Sequence, residues 1–275
     1  MKSPATPSEQ PANRLLAADE PAAFTEMRRN GRSNFVIAVD HASRRIPRRL
    51  GTLGLSAEQL ERHIAWDIGS LAVARQLSAT LDAALVAQNY SRLVIDCNRN
   101  PDTETSIPTV GERVEIPGNI GLSTEEIDAR RQDIFHPYHD RIRGLLDERA
   151  AGGRHTILVA LHTMTDIFKG VRREMHAAVM YNRDKRFAAL VLAMLRREAG
   201  LVVADNEPYF VSDATDYTIP RHGEARGLPH VAIEIRQDLV ADEAGQTAWA
   251  GRIAKALRDA EDLFGLSRDG RPIPP

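Results

Sequence analysis

The sequence predicts an α/β protein, a three-layer α/β/α sandwich around a mixed, largely parallel sheet. Two observations carry this. Continuous runs of Val, Ile, Leu and Ala without polar alternation read as strands covered on both faces. They occur at 35–39, 83–87, 92–97, 157–161, 177–181, 201–204 and 231–236. Amphipathic helical segments stand between many of these runs, as parallel strand connections require. A third observation bears on function. Three of the runs stop abruptly in polar residues: Asp40-His41, Asp96-Cys97-Asn98-Arg99 and His162-Thr163, while the last carries Glu234 and Arg236 within it. Ligands of open α/β sheets bind beyond the carboxyl ends of the strands. These residues, distant in sequence, are therefore expected to converge on one site, which favours an enzyme.

Each element has its own justification. Residues 1–33, rich in Pro, Ala and charge, are expected to form a loosely attached arm, followed by a single domain over 34–275. Ser56-Ala-Glu-Gln59 has the signature of a helix N-cap. Leu71, Ala74, Leu77 and Leu81 mark one face of a helix over 68–81. Residues 98–122, punctuated by Pro, Gly and Asn, predict a long functional loop. Ser123-Thr-Glu-Glu126 is a capping box, and Ile127, Ile134, Tyr138, Ile142 and Leu145 continue it as a long amphipathic helix ended by Gly152-Gly153. Helices over 184–199 and 242–264 complete the set, with an irregular stretch at 205–229 and a frayed tail at 268–275.

Composition bounds the function. With 275 residues, 43% hydrophobic and 27% charged, the chain suits a globular domain. Its formal charge of −2 implies no nucleic-acid partner. A single cysteine, Cys97, excludes an intrachain disulfide and a cysteine zinc cluster, and fits a reducing compartment. No apolar run reaches the length of a membrane span, and Met1–Asn13 lacks the apolar stretch of a secretory signal, so a cytoplasmic protein away from membranes is expected. Nothing in the pattern speaks to oligomeric state.

The chemistry-bearing residues each admit two readings. His41 and His162, both at strand ends, suit a shared metal ion, whereas a lone His is more plainly a surface group bonded to a carbonyl. Asp67, in Trp66-Asp-Ile-Gly69, is a third ligand or a helix N-cap. Arg99 offers a planar fork to a substrate carboxylate with Asn98 beside it, or pairs with Asp96 or Asp102. Glu234 on an apolar strand needs a partner or a function, and an ion pair with Arg236 or another arginine is the plainer reading. His136 and His139 are spaced to face one way along a helix. No Gly-rich phosphate loop, HExxH or GxSxG motif occurs.

Taken together, Asp40-His-Ala-Ser-Arg-Arg-Ile-Pro47, Trp66-Asp-Ile-Gly69, Ser91-Arg-Leu-Val-Ile-Asp-Cys-Asn-Arg99, Leu161-His-Thr-Met-Thr165, Asn206-Glu-Pro-Tyr209 and Glu234-Ile-Arg-Gln-Asp-Leu239 resemble the N-formylglutamate amidohydrolase family. The resemblance covers about residues 33 to 260 and implies a phosphorylase/hydrolase-like fold similar to the zinc exopeptidases. It implies a metal-dependent hydrolase acting on a small N-acyl amino acid such as N-formylglutamate, with one divalent ion, zinc. By analogy, His41 and His162 are ligands, Asn98 and Arg99 hold the substrate carboxylate, and Glu234 is the base. Where the exopeptidases carry a glutamate three residues after the first histidine, this chain has Arg44. Asp67 is then the candidate acidic ligand and Arg44 a candidate substrate residue. Arg92, His139, Asn206, His222 and Arg236 complete the candidate substrate-binding set. Two other readings use the same residues: an amidohydrolase or peptidase for another amide, and a non-catalytic binding protein for acidic amino-acid derivatives.

Overall fold

A seven-stranded sheet organises the chain in the computed structural model, which describes residues 14–208 and 210–265. The strands are β1 (Phe24–Met27), β2 (Phe35–Val39), β3 (Ala84–Gln88), β4 (Ile157–Met164), β5 (Ala177–Met180), β6 (Val203–Asp205) and β7 (His230–Arg236). Their spatial order is β1-β3-β2-β4-β7-β5-β6. The central pairs β3–β2, β2–β4 and β4–β7 and the outer pair β5–β6 are parallel; β1–β3 and β7–β5 are antiparallel. The sheet is thus mixed and mostly parallel, as the unbroken apolar runs predict.

The pleat sends alternate side chains to opposite layers. Phe35, Ile37, Val39, Val159, Leu161, Ile233 and Ile235 pack in one apolar cluster with Val73, Leu77, Val191, Trp249 and Ile253. These last come from α2 (Ser70–Leu81), α5 (Arg186–Leu195) and α6 (Glu243–Phe264). Val36, Ala38, Leu158, Ala160 and Ala232 face the other cluster, which holds Ile134, Tyr138, Ile142 and Leu145. That layer is built by α3 (Thr124–Arg130) and α4 (His136–Ala151), joined by a π-helical turn over Arg131–Phe135. Pro137 lies in the first turn of α4 and lacks an amide hydrogen, which accounts for the widened ladder before it. The predicted N-cap at Ser56, ahead of the short helix α1 (Ala57–Glu61), and the predicted capping box at Ser123, ahead of α3, both form, each as a full capping box.

Two expectations are corrected. Residues 92–97 do not form a strand, although 93–97 are buried. Their backbone groups are satisfied by other means: Val94 N donates to Ser91 O, while the carbonyls of Leu93 and Val94 accept from the Asn119 amide (2.8 Å) and the Arg130 guanidinium (2.9 Å). An apolar run predicts burial; side chains from other segments took the place of a neighbouring strand. Residues 14–33, expected to belong to a loose arm, are packed on the body instead. Phe24–Met27 is an edge strand, and Leu15 N donates to the buried Asp133 carboxylate at 2.6 Å. The remainder of the arm and the 268–275 tail lie outside the described residues. Of the predicted 98–122 loop, residues 110–115 form a small hairpin, and a second hairpin follows β4 at 167–172.

Candidate metal centre and active site

The carboxyl ends of β2, β4 and β7 meet beside the turn that precedes α2. His162 and Glu234 are register partners on adjacent parallel strands, so both side chains leave the same face of the sheet. Asp40 and His41 follow the last residue of β2. His41 O accepts from Asp67 N at 2.9 Å, and the Thr163 hydroxyl donates to Ile68 O at 2.9 Å, which anchors the Asp67 turn to both strands. Gly69 caps α2 with φ of 82°, and a Cβ there would stand 2.5 Å from Val240 O. Only glycine tolerates that combination. The Asp67 side chain therefore does not cap the helix; its Oδ2 lies beside His162 and His41 instead.

His41, Asp67 and His162 each place a ligand atom within 4.8 Å of the others, and all three are buried. Asp67 Oδ2 lies 3.0 Å from His162 Nδ1 and 3.4 Å from His41 Nδ1. The opposite ring nitrogens are each beside a carboxylate. His41 Nε2 donates to Asp96 Oδ1 at 2.7 Å, and His162 Nε2 stands 3.3 Å from Asp40 Oδ2. Carboxylates behind both imidazoles orient each ring with Nδ1 toward Asp67, the outer-shell arrangement that metal-binding histidines favour. Asp40 is itself fixed, its Oδ1 accepting from the Tyr138 hydroxyl (2.8 Å) and the Thr218 hydroxyl (2.6 Å). Two imidazole nitrogens and a carboxylate oxygen form a donor set that fits a divalent cation.

Electrostatics agree with a cation site. Burial alone would raise the Asp67 carboxyl, but the Arg92 guanidinium and the two histidines hold it well below the usual range. Burial likewise opposes ionisation of Asp96, and His41 with the nearby arginines keeps it charged. Asp40 is lowered by His162 and His41 against its burial. Burial disfavours the His162 imidazolium, yet the Asp40 and Asp67 carboxylates raise its pKa well above the ordinary value. Three buried carboxylates demand positive charge. Arg92 supplies part of it, contacting both His41 Nδ1 and Asp67 Oδ1.

The cluster opens into a cleft of about 280 Å³ lined by His41, His63, Asp67, Arg92, Asn98, Arg99, His162 and Glu234, with Phe210, Ser212, Thr215 and Asp216 across from them. Of the residues singled out in the sequence, His41, Asp67, His162, Glu234, Arg92, Asn98 and Arg99 are thus brought together. Asn98 ties down the opposite loop: its amide donates to Asp216 Oδ1 (2.9 Å) and accepts from Tyr217 N (3.0 Å) and Thr218 N (3.1 Å). Arg99 donates to its neighbour's carbonyl and to Thr215 O while its side chain lines the cleft.

Five candidates sit elsewhere. Arg44 pairs with Glu61 and lies over the Trp66 ring, 5.8 Å from its centroid, outside the cleft. Asn206 has φ of 53° and accepts from Tyr181 N at 2.9 Å, a turn-forming role suited to asparagine. Arg236 clamps Asp238 (2.7 Å) and the carbonyl of Arg173 (2.9 Å). His139 and His222 form a separate buried stack, with His139 Nδ1 3.0 Å from His222 Nε2 and His139 Nε2 donating to Cys97 O at 2.8 Å. Sequence reasoning missed His63, which lines the cleft and is pushed by burial down to about 4. It also missed the orienting roles of Asp40 and Asp96; an Asp directly before a strand-end His was the available signal for the first.

The chain is thus an α/β protein of mixed, mostly parallel sheet with a histidine–carboxylate cluster at the strand ends. The profile of the N-formylglutamate amidohydrolase family matches residues 33–241, and the chain belongs to that family, which makes it an amidohydrolase. Among solved structures, the gene product Atu2144 from Agrobacterium tumefaciens is 38% identical with a TM-score of 0.88, covering 91% of this chain and 99% of that one. An N-formylglutamate amidohydrolase from Ralstonia eutropha JMP134 is 20% identical with a TM-score of 0.65, covering 89% and 99%, and shares the fold. No curated protein matches the chain. Among the described residues, no helix is long and apolar enough to cross a membrane.

Proposed function

We propose that this protein is a metal-dependent hydrolase of N-acyl amino acids, with N-formyl-L-glutamate as the leading substrate and zinc as the metal. The observation that carries the reading is the pair of imidazoles turned by Asp40 and Asp96 toward Asp67. Zinc bound by His41, Asp67 and His162 supplies Lewis acidity and an acidified water at neutral pH. Glu234, at the register position beside His162, accepts the proton of the attacking water and returns it to the leaving nitrogen. Arg99 grips the substrate carboxylate by a charge-assisted pair. Arg92, against the ligands, steadies the negative charge that develops on the amide oxygen. The balanced reaction is hydrolysis of N-formylglutamate and water to formate and glutamate.

The test is incubation of the purified protein with N-formyl-L-glutamate and zinc or cobalt, with assay of released glutamate. Turnover that is abolished by a chelator and restored by the metal is expected. No turnover of this or a panel of other N-acyl amino acids would sink the reading.

A further inference from the structure

The space around the cluster does not end at the first cleft. A second cleft of about 600 Å³ adjoins it, and His63, Arg92 and Arg99 line both. The first, at about 280 Å³, is near the lower limit for small-ligand pockets, roughly 300 Å³; the second is about twice as large. Buried Ile64 and Leu93 line it, and so do residues of the hairpin at 110–115 within the predicted long loop and of the hairpin at 167–172 after β4. Each hairpin turns an apolar residue to the cleft: Val110 is 59% exposed and Phe168 is 41% exposed. Arg173 stands at the far side, its guanidinium 5.0 Å from the Phe168 ring centroid. Three acidic residues also line the cleft: Asp96, which accepts from His41, Glu112, which pairs with Arg62 at 3.0 Å, and Glu104.

We propose that the second cleft binds a further amino-acid residue on the amine side of the scissile bond, so that N-acyl dipeptides are substrates as well as N-acyl amino acids. The inference rests on the amidohydrolase reading above. Arg99, at the junction, faces the first residue, and the apolar walls at Leu93, Val110 and Phe168 take the second side chain. A single amino acid leaves this cleft empty, with apolar rim residues exposed to water. Continuity with the site through shared residues distinguishes it from the other surface depressions.

Two measurements test this. The first compares kcat/KM for N-formyl-L-glutamate and N-formyl-L-glutamyl-L-leucine in the wild-type protein and in Val110→Trp, which fills the cleft without touching the metal cluster or the first cleft. The dipeptide is expected to be turned over, and Val110→Trp to lower its kcat/KM by about tenfold or more, the scale on which apolar pockets discriminate. Turnover of N-formylglutamate should change less than about twofold. The second measurement does not depend on activity: calorimetric binding of L-glutamyl-L-leucine and of L-glutamate to the metal-loaded protein. The dipeptide should bind more tightly, with the advantage lost in Val110→Trp and reduced in Phe168→Ala. Equal affinity for the two ligands, or a dipeptide response that ignores both substitutions, would overturn the proposal even where N-formylglutamate is hydrolysed. Absence of all turnover with the dipeptide advantage intact would instead overturn the catalytic reading.

Discussion

Two pairs of buried histidines lie in this molecule under opposite electrostatic regimes. His41 and His162, with ring centroids 5.1 Å apart, are surrounded by Asp40, Asp67 and Asp96. His139 and His222, 5.2 Å apart and nearly parallel, are surrounded by Tyr217, Phe135 and a backbone carbonyl. Carboxylates raise the His162 imidazole despite its burial. At the second pair burial outweighs the pull of the Asp40 charge, taking His139 down to about 4 and His222 to about 2. Pairing of imidazoles therefore does not mark a cation site; the carboxylates around them do. The neutral pair supports the Cys97 carbonyl one residue from Asp96, and so the loop that orients His41.

The largest expected effect tests whether the charged region performs chemistry. Glu234→Gln preserves shape and removes the base, so kcat should fall by about 10²- to 10⁴-fold with little change in substrate binding. Thermal melts run alongside the kinetics separate this from misfolding. A variant that melts and turns over normally would remove Glu234 from the mechanism.

The comparison breaks most directly at the metal. His41→Ala should lose most of the bound ion, whereas His139→Gln should keep full stoichiometry, as read by metal analysis of protein prepared without chelators. Full metal in His41→Ala would place the ion elsewhere. A subtler form of the same test is Asp96→Asn, which leaves every proposed ligand in place and weakens only the group behind His41. Metal affinity should drop by about 10- to 100-fold. Unchanged affinity would reduce Asp96 to a structural partner.

The smallest effect sharpens the other side. His139 and His222 have folded-state pKa values below the unfolded value of about 6.5, so below that pH the unfolded chain binds more protons. Their contribution is complete above about pH 6.5 and declines as pH falls, by about 1 kcal/mol per pH unit for each group. Melting temperatures from pH 7 to 5 should fall less steeply in a His139→Gln, His222→Gln double variant than in the wild type. Parallel curves would show that other groups govern acid sensitivity.

The sequence by itself determined the strands that carry the site and the residue types at their ends. Continuous β-branched runs at 35–39, 157–161 and 231–236 encode burial on both faces through contacts that any parallel sheet supplies, so they are legible one segment at a time. The meeting of His41, His162 and Glu234 follows from the rule that such strands end together, and Asp67 was legible as one of two alternatives. Only the tertiary structure ruled out the cap, because Gly69 and Val240, far apart in the chain, leave that place to glycine. It likewise decided that 92–97 is held by Asn119 and Arg130 rather than by a neighbouring strand, that Arg44 answers Glu61, and that His139 stacks on His222. A hydrogen bond or an ion pair depends on which side chain arrives within about 3 Å. That arrival depends on the packing of distant segments, while hydrophobic periodicity is a property of neighbours along the chain.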